Sequence, residues 1–174
     1  MARILIIGWG NPLRGDDGVG WRAAERLAET LEGHDVAVRV SHQLMPEFAE
    51  EISRSGFVVF IDAACDNGAG ELRFERVEPD CAPSAAFSHQ LSPQALVGMA
   101  ERLYGSRPEA CFFSVGGRSF EYGETLSPEV ESALPALLEE AKRVCGQAVG
   151  PRRTAARERE PHAIHTSLKE ENTA

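Results

Sequence analysis

Three short apolar runs do most to limit what this chain can fold into: Ile4-Leu5-Ile6-Ile7, Phe57-Val58-Val59-Phe60-Ile61 and Cys111-Phe112-Phe113-Ser114-Val115. A strand with one face in water alternates apolar and polar residues, whereas a run apolar throughout belongs to a strand covered on both faces. Two further segments carry strand signals. Val36–Val40 reads as half-covered, and Leu72–Val77 begins by alternating, as an edge strand does. Helical repeats lie between them. Val19, Ala23, Leu27 and Leu31 recur every four residues, and Phe48, Ala49 and Ile52 form a shorter amphipathic stretch. Ser92-Pro93 and Ser127-Pro128 each set Ser as an N-cap before Pro at the first helical position. The second start leads into Val130, Ala133, Leu134, Leu137, Leu138, Ala141 and Val144, a 3.6-residue period. Pro135 inside it should kink the helix or remove one hydrogen bond.

Strands alternating with helices imply parallel pairing. The expected fold is α/β, a three-layer sandwich with a mostly parallel twisted sheet of about five strands and helices on both faces. The 174 residues suit one domain with a substantial core. That domain is expected over 1–146. From Gln147 the pattern stops and Gly, Pro, Arg and Glu become frequent, so 147–174 reads as a disordered tail.

Charge narrows the function classes. The tail holds five Lys or Arg against four Glu, so of the formal net charge of −9 the tail is +1 and residues 1–146 are −10. A domain this acidic repels phosphate backbones, which argues against nucleic acid as a partner. A metal cation or a basic protein partner suits it better. The apolar stretch from Ile4 to Gly10 is far short of the ~20 residues a membrane span needs, and no signal-peptide pattern follows it. No membrane association and a cytoplasmic location are therefore expected. Cys65, Cys81, Cys111 and Cys145 are scattered rather than paired as C-x-x-C, and Cys111 reads as a buried small hydrophobe.

In an open parallel sheet, ligands gather at the carboxyl ends of the strands. The first such place is Gly8-Trp9-Gly10-Asn11-Pro12-Leu13-Arg14-Gly15-Asp16-Asp17-Gly18-Val19-Gly20. It is not a dinucleotide fingerprint, because Leu13 stands where the third glycine should be, and it has no P-loop Gly-Lys-Ser/Thr. Two acids at a helix entrance would also repel a phosphate. Asp16 reads equally as a helix cap or as a ligand. Asp17 reads as a ligand, because a second acid, Asp62, ends the strand Phe57–Ile61. A carboxylate there is costly unless paired, hydrogen-bonded or bound to a cation. Asp66 reads as a turn residue beside Asn67 and Gly68. The third place is Ser88-His89, just before the Ser92 helix. Two carboxylates and an imidazole, from Asp17, Asp62 and His89, form an oxygen and nitrogen set suited to nickel or zinc.

These segments together resemble the hydrogenase maturation endopeptidases. The resemblance is carried by Gly8-x-Gly10-Asn11-x-Leu13-x-x-Asp16-Asp17-Gly18-x-Gly20, His42-Gln43-Leu44-x-Pro46-Glu47, Ile61-Asp62-Ala63, Ser88-His89 and Leu126-Ser127-Pro128-Glu129-Val130, in order over roughly residues 3–145. It implies an endopeptidase that removes the C-terminal extension of a nickel–iron hydrogenase large-subunit precursor once nickel is installed. It also implies that Asp17, Asp62 and His89 are the catalytic and metal-contacting side chains, with nickel supplied by the precursor. The first position is Glu in some members and Asp17 here, one methylene shorter. Where some members have a Gly-Gly-Thr-like stretch, this chain has Ser41-His42-Gln43-Leu44, which offers His42 to the same cleft. His162 and His165 read as part of a solvated tail.

No G-x-S-x-G elbow and no H-E-x-x-H motif is present. A serine, cysteine or zincin protease is thus disfavoured. The expected mechanism has the precursor's nickel position the scissile bond, with water activated by the metal or by a carboxylate. The rival readings are a non-catalytic nickel-binding assembly chaperone and a Rossmann-like nucleotide-binding enzyme.

Overall fold

The computed structural model describes residues 4–31, 35–66, 68–80 and 91–149. Five strands, β1 (Ile4–Trp9), β2 (Val36–Ser41), β3 (Phe57–Ala64), β4 (Leu72–Arg76) and β5 (Glu109–Gly116), form one sheet in the order β2-β1-β3-β5-β4. The first four in that order run parallel, and β4 lies antiparallel on the edge against β5. The four helices are α1 (Val19–Thr30), α2 (Phe48–Ser53), α3 (Pro93–Tyr104) and α4 (Pro128–Val149).

The strand pleat sorts the core into two layers. Ile4, Ile6, Val59, Ile61, Cys111, Phe113 and Val115 face one side, where they meet Val19, Ala23 and Leu27 of α1 and Leu134, Leu137 and Ala141 of α4. Leu5, Ile7, Val58, Phe60 and Ala110 face the other, with Ile52 of α2 and Leu96, Val97 and Ala100 of α3. Successive side chains pointing to opposite faces is why the three central strands are apolar throughout. The expected α/β sandwich is the one found. Among the described residues β4 has one neighbouring strand and is mostly exposed, and its Phe74 leans on Phe113 with ring centroids 5.1 Å apart.

Two local differences from the sequence reading have simple causes. β3 continues past Asp62 to Ala64, because β5 pairs with it that far, Asp62 opposite Ser114 and Ala64 opposite Gly116. α4 continues to Val149, beyond the point at which its apolar repeat ends. It also runs unbroken through Pro135, which lies on its exposed side. The carbonyl that loses its N–H partner there can turn to water. Ser92 caps α3 as expected, its Oγ accepting from the Ala95 N–H at 3.1 Å, and Gly105 closes that helix in the left-handed conformation. Of the stretch 147–174 read as a tail, residues 147–149 belong to α4, and 150–174 lie outside the described residues. Among the described residues no helix is long and apolar enough to cross a membrane.

Candidate functional site

The chain leaves β1 toward β2 on one side and returns through β3 on the other. The carboxyl ends of β1 and β3 therefore form the topological switch point, where open α/β sheets hold their ligands. β1 last pairs with β3 at Gly8 opposite Ile61, so Asp62 is the first β3 residue with no β1 partner. This is the position at which open α/β sheets form their ligand crevice.

The glycines of the first loop bring α1 into it. A Cβ on Gly8 would lie 2.1 Å from the Gly20 carbonyl oxygen and 2.7 Å from Ala24 Cβ. A Cβ on Gly20 would lie 2.3 Å from the Ile61 oxygen, 2.5 Å from the Trp9 oxygen and 3.0 Å from Asp62 Cα. Gly10, with φ of 119°, passes the Asp17 backbone so closely that a Cβ there would overlap the Asp17 oxygen, at 1.8 Å. The glycines are thus used for backbone-to-backbone packing rather than for cradling a phosphate. Their effect is to seat the acidic turn Gly15–Gly18 against the end of β3.

Asp17 and Asp62 are brought together there. The Asp17 carboxylate accepts the Asn11 N–H through Oδ2 at 2.7 Å. Asp62 is pushed up to about 8, chiefly by burial and further by the nearby Asp17 charge. Hydrogen bonds from the Ala63 backbone and the Trp9 side chain pull the other way without offsetting the burial. Trp9 is held by Phe60, edge to face at 6.2 Å, and by Phe112, stacked at 5.6 Å with an 18° tilt. Its indole N–H is its only donor, so this packing aims it. Sequence reasoning passed over Trp9. The available signal was a large aromatic placed between two glycines at the end of a buried strand.

Asp16 is fully buried and caps neither the short turn nor α1, both of which begin without a side-chain cap. Its oxygens instead reach across the fold to the loop between β5 and α4. Oδ2 accepts the N–H groups of Arg118 at 2.8 Å and Ser119 at 2.9 Å, and Oδ1 accepts that of Ser127 at 2.7 Å. Burial would raise its pKa, but the three backbone donors outweigh that and hold it below the ordinary carboxylate value. The cap and the ligand readings of Asp16 both give way to this role, because the partners lie more than a hundred residues away in sequence.

His89, the third expected contact, lies outside the described residues. His42 is exposed, and its ring packs against Trp21 of α1 at 5.2 Å. Among the described residues no three His, Cys, Asp or Glu side chains converge as a metal site. The described part of the candidate site is therefore the Asp17–Asp62 pair. Cys111 and Cys145 are buried, as expected for Cys111, and burial raises their thiols to about 12 and about 11.

No protein-family model matches the chain, and no curated protein matches it. Solved structures do. The hydrogenase maturating endopeptidase HybD from E. coli is 25% identical with a TM-score of 0.66, the match covering 84% of this chain and 94% of that one. The NiFe hydrogenase maturation protease HycI from Thermococcus kodakarensis KOD1 is 27% identical with a TM-score of 0.64, covering 83% and 93%. The hydrogenase 2 maturation peptidase from a Thaumarchaeota archaeon is 25% identical with a TM-score of 0.63, covering 83% and 98%. Over most of its length, this chain has the fold of the NiFe hydrogenase maturation proteases and is a distant relative of them.

Proposed function

We propose that this chain is a cytoplasmic endopeptidase that removes the C-terminal extension of a nickel-loaded NiFe hydrogenase large-subunit precursor. The observation that carries the reading is the Asp17–Asp62 pair at the switch point, in a chain with the fold of hydrogenase maturation proteases. Burial disfavours the charged form of Asp62 and the nearby Asp17 charge adds to it, which is why Asp62 holds its proton to about 8. A cation removes that conflict, since it attracts both charges and displaces the proton. The pair is thus built to receive positive charge, and in this reading the charge arrives with the substrate.

Asp17, Asp62 and His89 contact the precursor's nickel, and the scissile bond is positioned by that contact. Water attacks the peptide carbonyl, activated by the metal or by a carboxylate of the pair. The Trp9 side chain acts as a donor that favours the charged form of Asp62. Most of the rate then comes from holding the bond and the water in place.

Mass spectrometry of the nickel-loaded precursor before and after incubation tests this. The expected outcome is loss of the C-terminal extension with the wild-type chain, no loss with Asp62→Ala, and no loss with nickel-free precursor. Nickel and precursor binding with an unchanged precursor mass would instead favour an assembly chaperone. Full-rate cleavage of nickel-free precursor would refute the role given to the metal.

A further inference from the structure

We infer that Asp16 is a positioning residue: its carboxylate locks the loop between β5 and α4 onto the acidic turn, and so sets where the Asp17 carboxylate lies relative to Asp62. The geometry is that of a clasp. Arg118 and Ser119 stand at the start of the loop and Ser127 at its end, and all three N–H groups converge on this one side chain. Both ends of the loop are therefore tied to a single point, directly adjacent in sequence to Asp17.

The middle of the loop is tied to the same turn by main-chain bonds. The Gly15 N–H donates to the Gly123 oxygen at 2.8 Å, Asp16 N–H to the Ser119 oxygen at 2.9 Å, and Gly123 N–H to the Leu13 oxygen at 2.9 Å. Arg14 Nε donates to the Phe120 oxygen at 3.2 Å. The turn carrying Asp17 has no side-chain cap at its start and only four residues. Its own bonds are few, Asp17 N–H to the Arg14 oxygen and Val19 N–H to the Asp16 oxygen, so the loop adds much of what holds it, and the clasp is the only fully buried charged side chain among the described residues. Asp17 is then fixed from both sides, its backbone by the clasped turn and its carboxylate by Asn11. The carboxylate of Asp16 is spent on three backbone donors and does not itself touch the reacting groups.

The test pairs amide hydrogen exchange with precursor cleavage in the wild type, Asp16→Asn and Leu137→Ala. Leu137 of α4 is fully buried against the sheet and serves as a control for plain loss of stability. Asp16→Asn should speed exchange at Arg118, Ser119 and Ser127, whose partner is altered. It should also speed exchange at Asn11 by about tenfold or more, although the Asn11 N–H bonds to Asp17 and not to position 16. Leu137→Ala should leave Asn11 unaffected under native conditions. In the cleavage arm, which rests on the peptidase reading above, Asp16→Asn should lower kcat on the order of 100-fold with little change in KM.

Protection of Asn11 unchanged in Asp16→Asn, or lost equally in Leu137→Ala, would overturn the inference. So would wild-type kcat in Asp16→Asn. If the wild type leaves the precursor intact, the peptidase reading has failed and the exchange at Asn11 alone decides the positioning role. Should Asp16→Asn not fold, Asp16→Glu keeps the acceptor and displaces it by one methylene. It is then expected to show the same losses, smaller in size.

Discussion

At the residue scale, Asp16 and Asp62 at this end of the sheet are set apart by what surrounds them. Asp16 is buried with three N–H donors and is held below its usual 3.8, so its charge stabilises the fold. That contribution is present above the unfolded pKa and is lost as the pH falls through the lowered folded value. Asp62 is largely buried beside another acid and is raised from 3.8 to about 8, so its charge opposes the fold. Below pH 3.8 both states of the chain hold its proton and nothing is lost. Between 3.8 and about 8 the unfolded state ionises while the folded state does not, so stability declines with rising pH and levels off above 8. Asp62→Asn should therefore raise stability at pH 8 by roughly 2–4 kcal/mol, with the gain vanishing near pH 4. Thermal melts of the two proteins across that range check it, and equal melting temperatures at pH 8 would refute it. Activity should be lost in the same variant, a stability cost accepted for function.

At the scale of elements, the decisive contact is the approach of α1 to the ends of β1 and β3. It depends on Gly8 and Gly20, which sit face to face where any Cβ would meet backbone rather than a yielding side chain. Gly20→Ala should destabilise the protein by roughly 1–3 kcal/mol or more, since overpacking against backbone must shift an element. Because the shift moves α1 and the turn before it, cleavage of the precursor should fall further than the stability loss alone explains. Denaturant unfolding and a cleavage assay on the same sample test both parts, and an Ala variant with unaltered stability would contradict the packing argument. The same contact explains why the glycine spacing looks like a nucleotide motif and is not one. The glycines are consumed by strand and helix packing, and none is left to approach a phosphate.

At the scale of the whole molecule, the sheet divides the core into two layers, and the cysteines report on it. Cys111 of β5 and Cys145 of α4 lie in the same buried layer, and burial lifts both thiols far above the working pH. Cys65 is exposed just past β3. Alkylation of the native protein, mapped by mass spectrometry, should label Cys65 readily. Cys111 and Cys145 should react on the order of 1,000-fold more slowly, through global unfolding. Fast labelling of Cys145 would mean that α4 opens on its own.

Much of this was legible in the chain. Three apolar runs and the repeats between them determined a parallel sheet covered on both faces, because burial on two sides leaves no room for polar alternation. The two serine–proline pairs marked helix starts, since capping is a local matter of one or two residues. Asp62 announced itself because an acid at the end of a buried strand needs a reason. The fold alone decided what depends on distance across it. The sequence could not say whether Asp16 caps, binds or clasps, because its partners are Arg118, Ser119 and Ser127, on a loop more than a hundred residues further on. Nor could it say that Trp9 aims at Asp62, or that Asp17 lies near enough to raise it. Those facts follow from strand order and from glycine-permitted packing, which bring distant residues together after the local structure is already made.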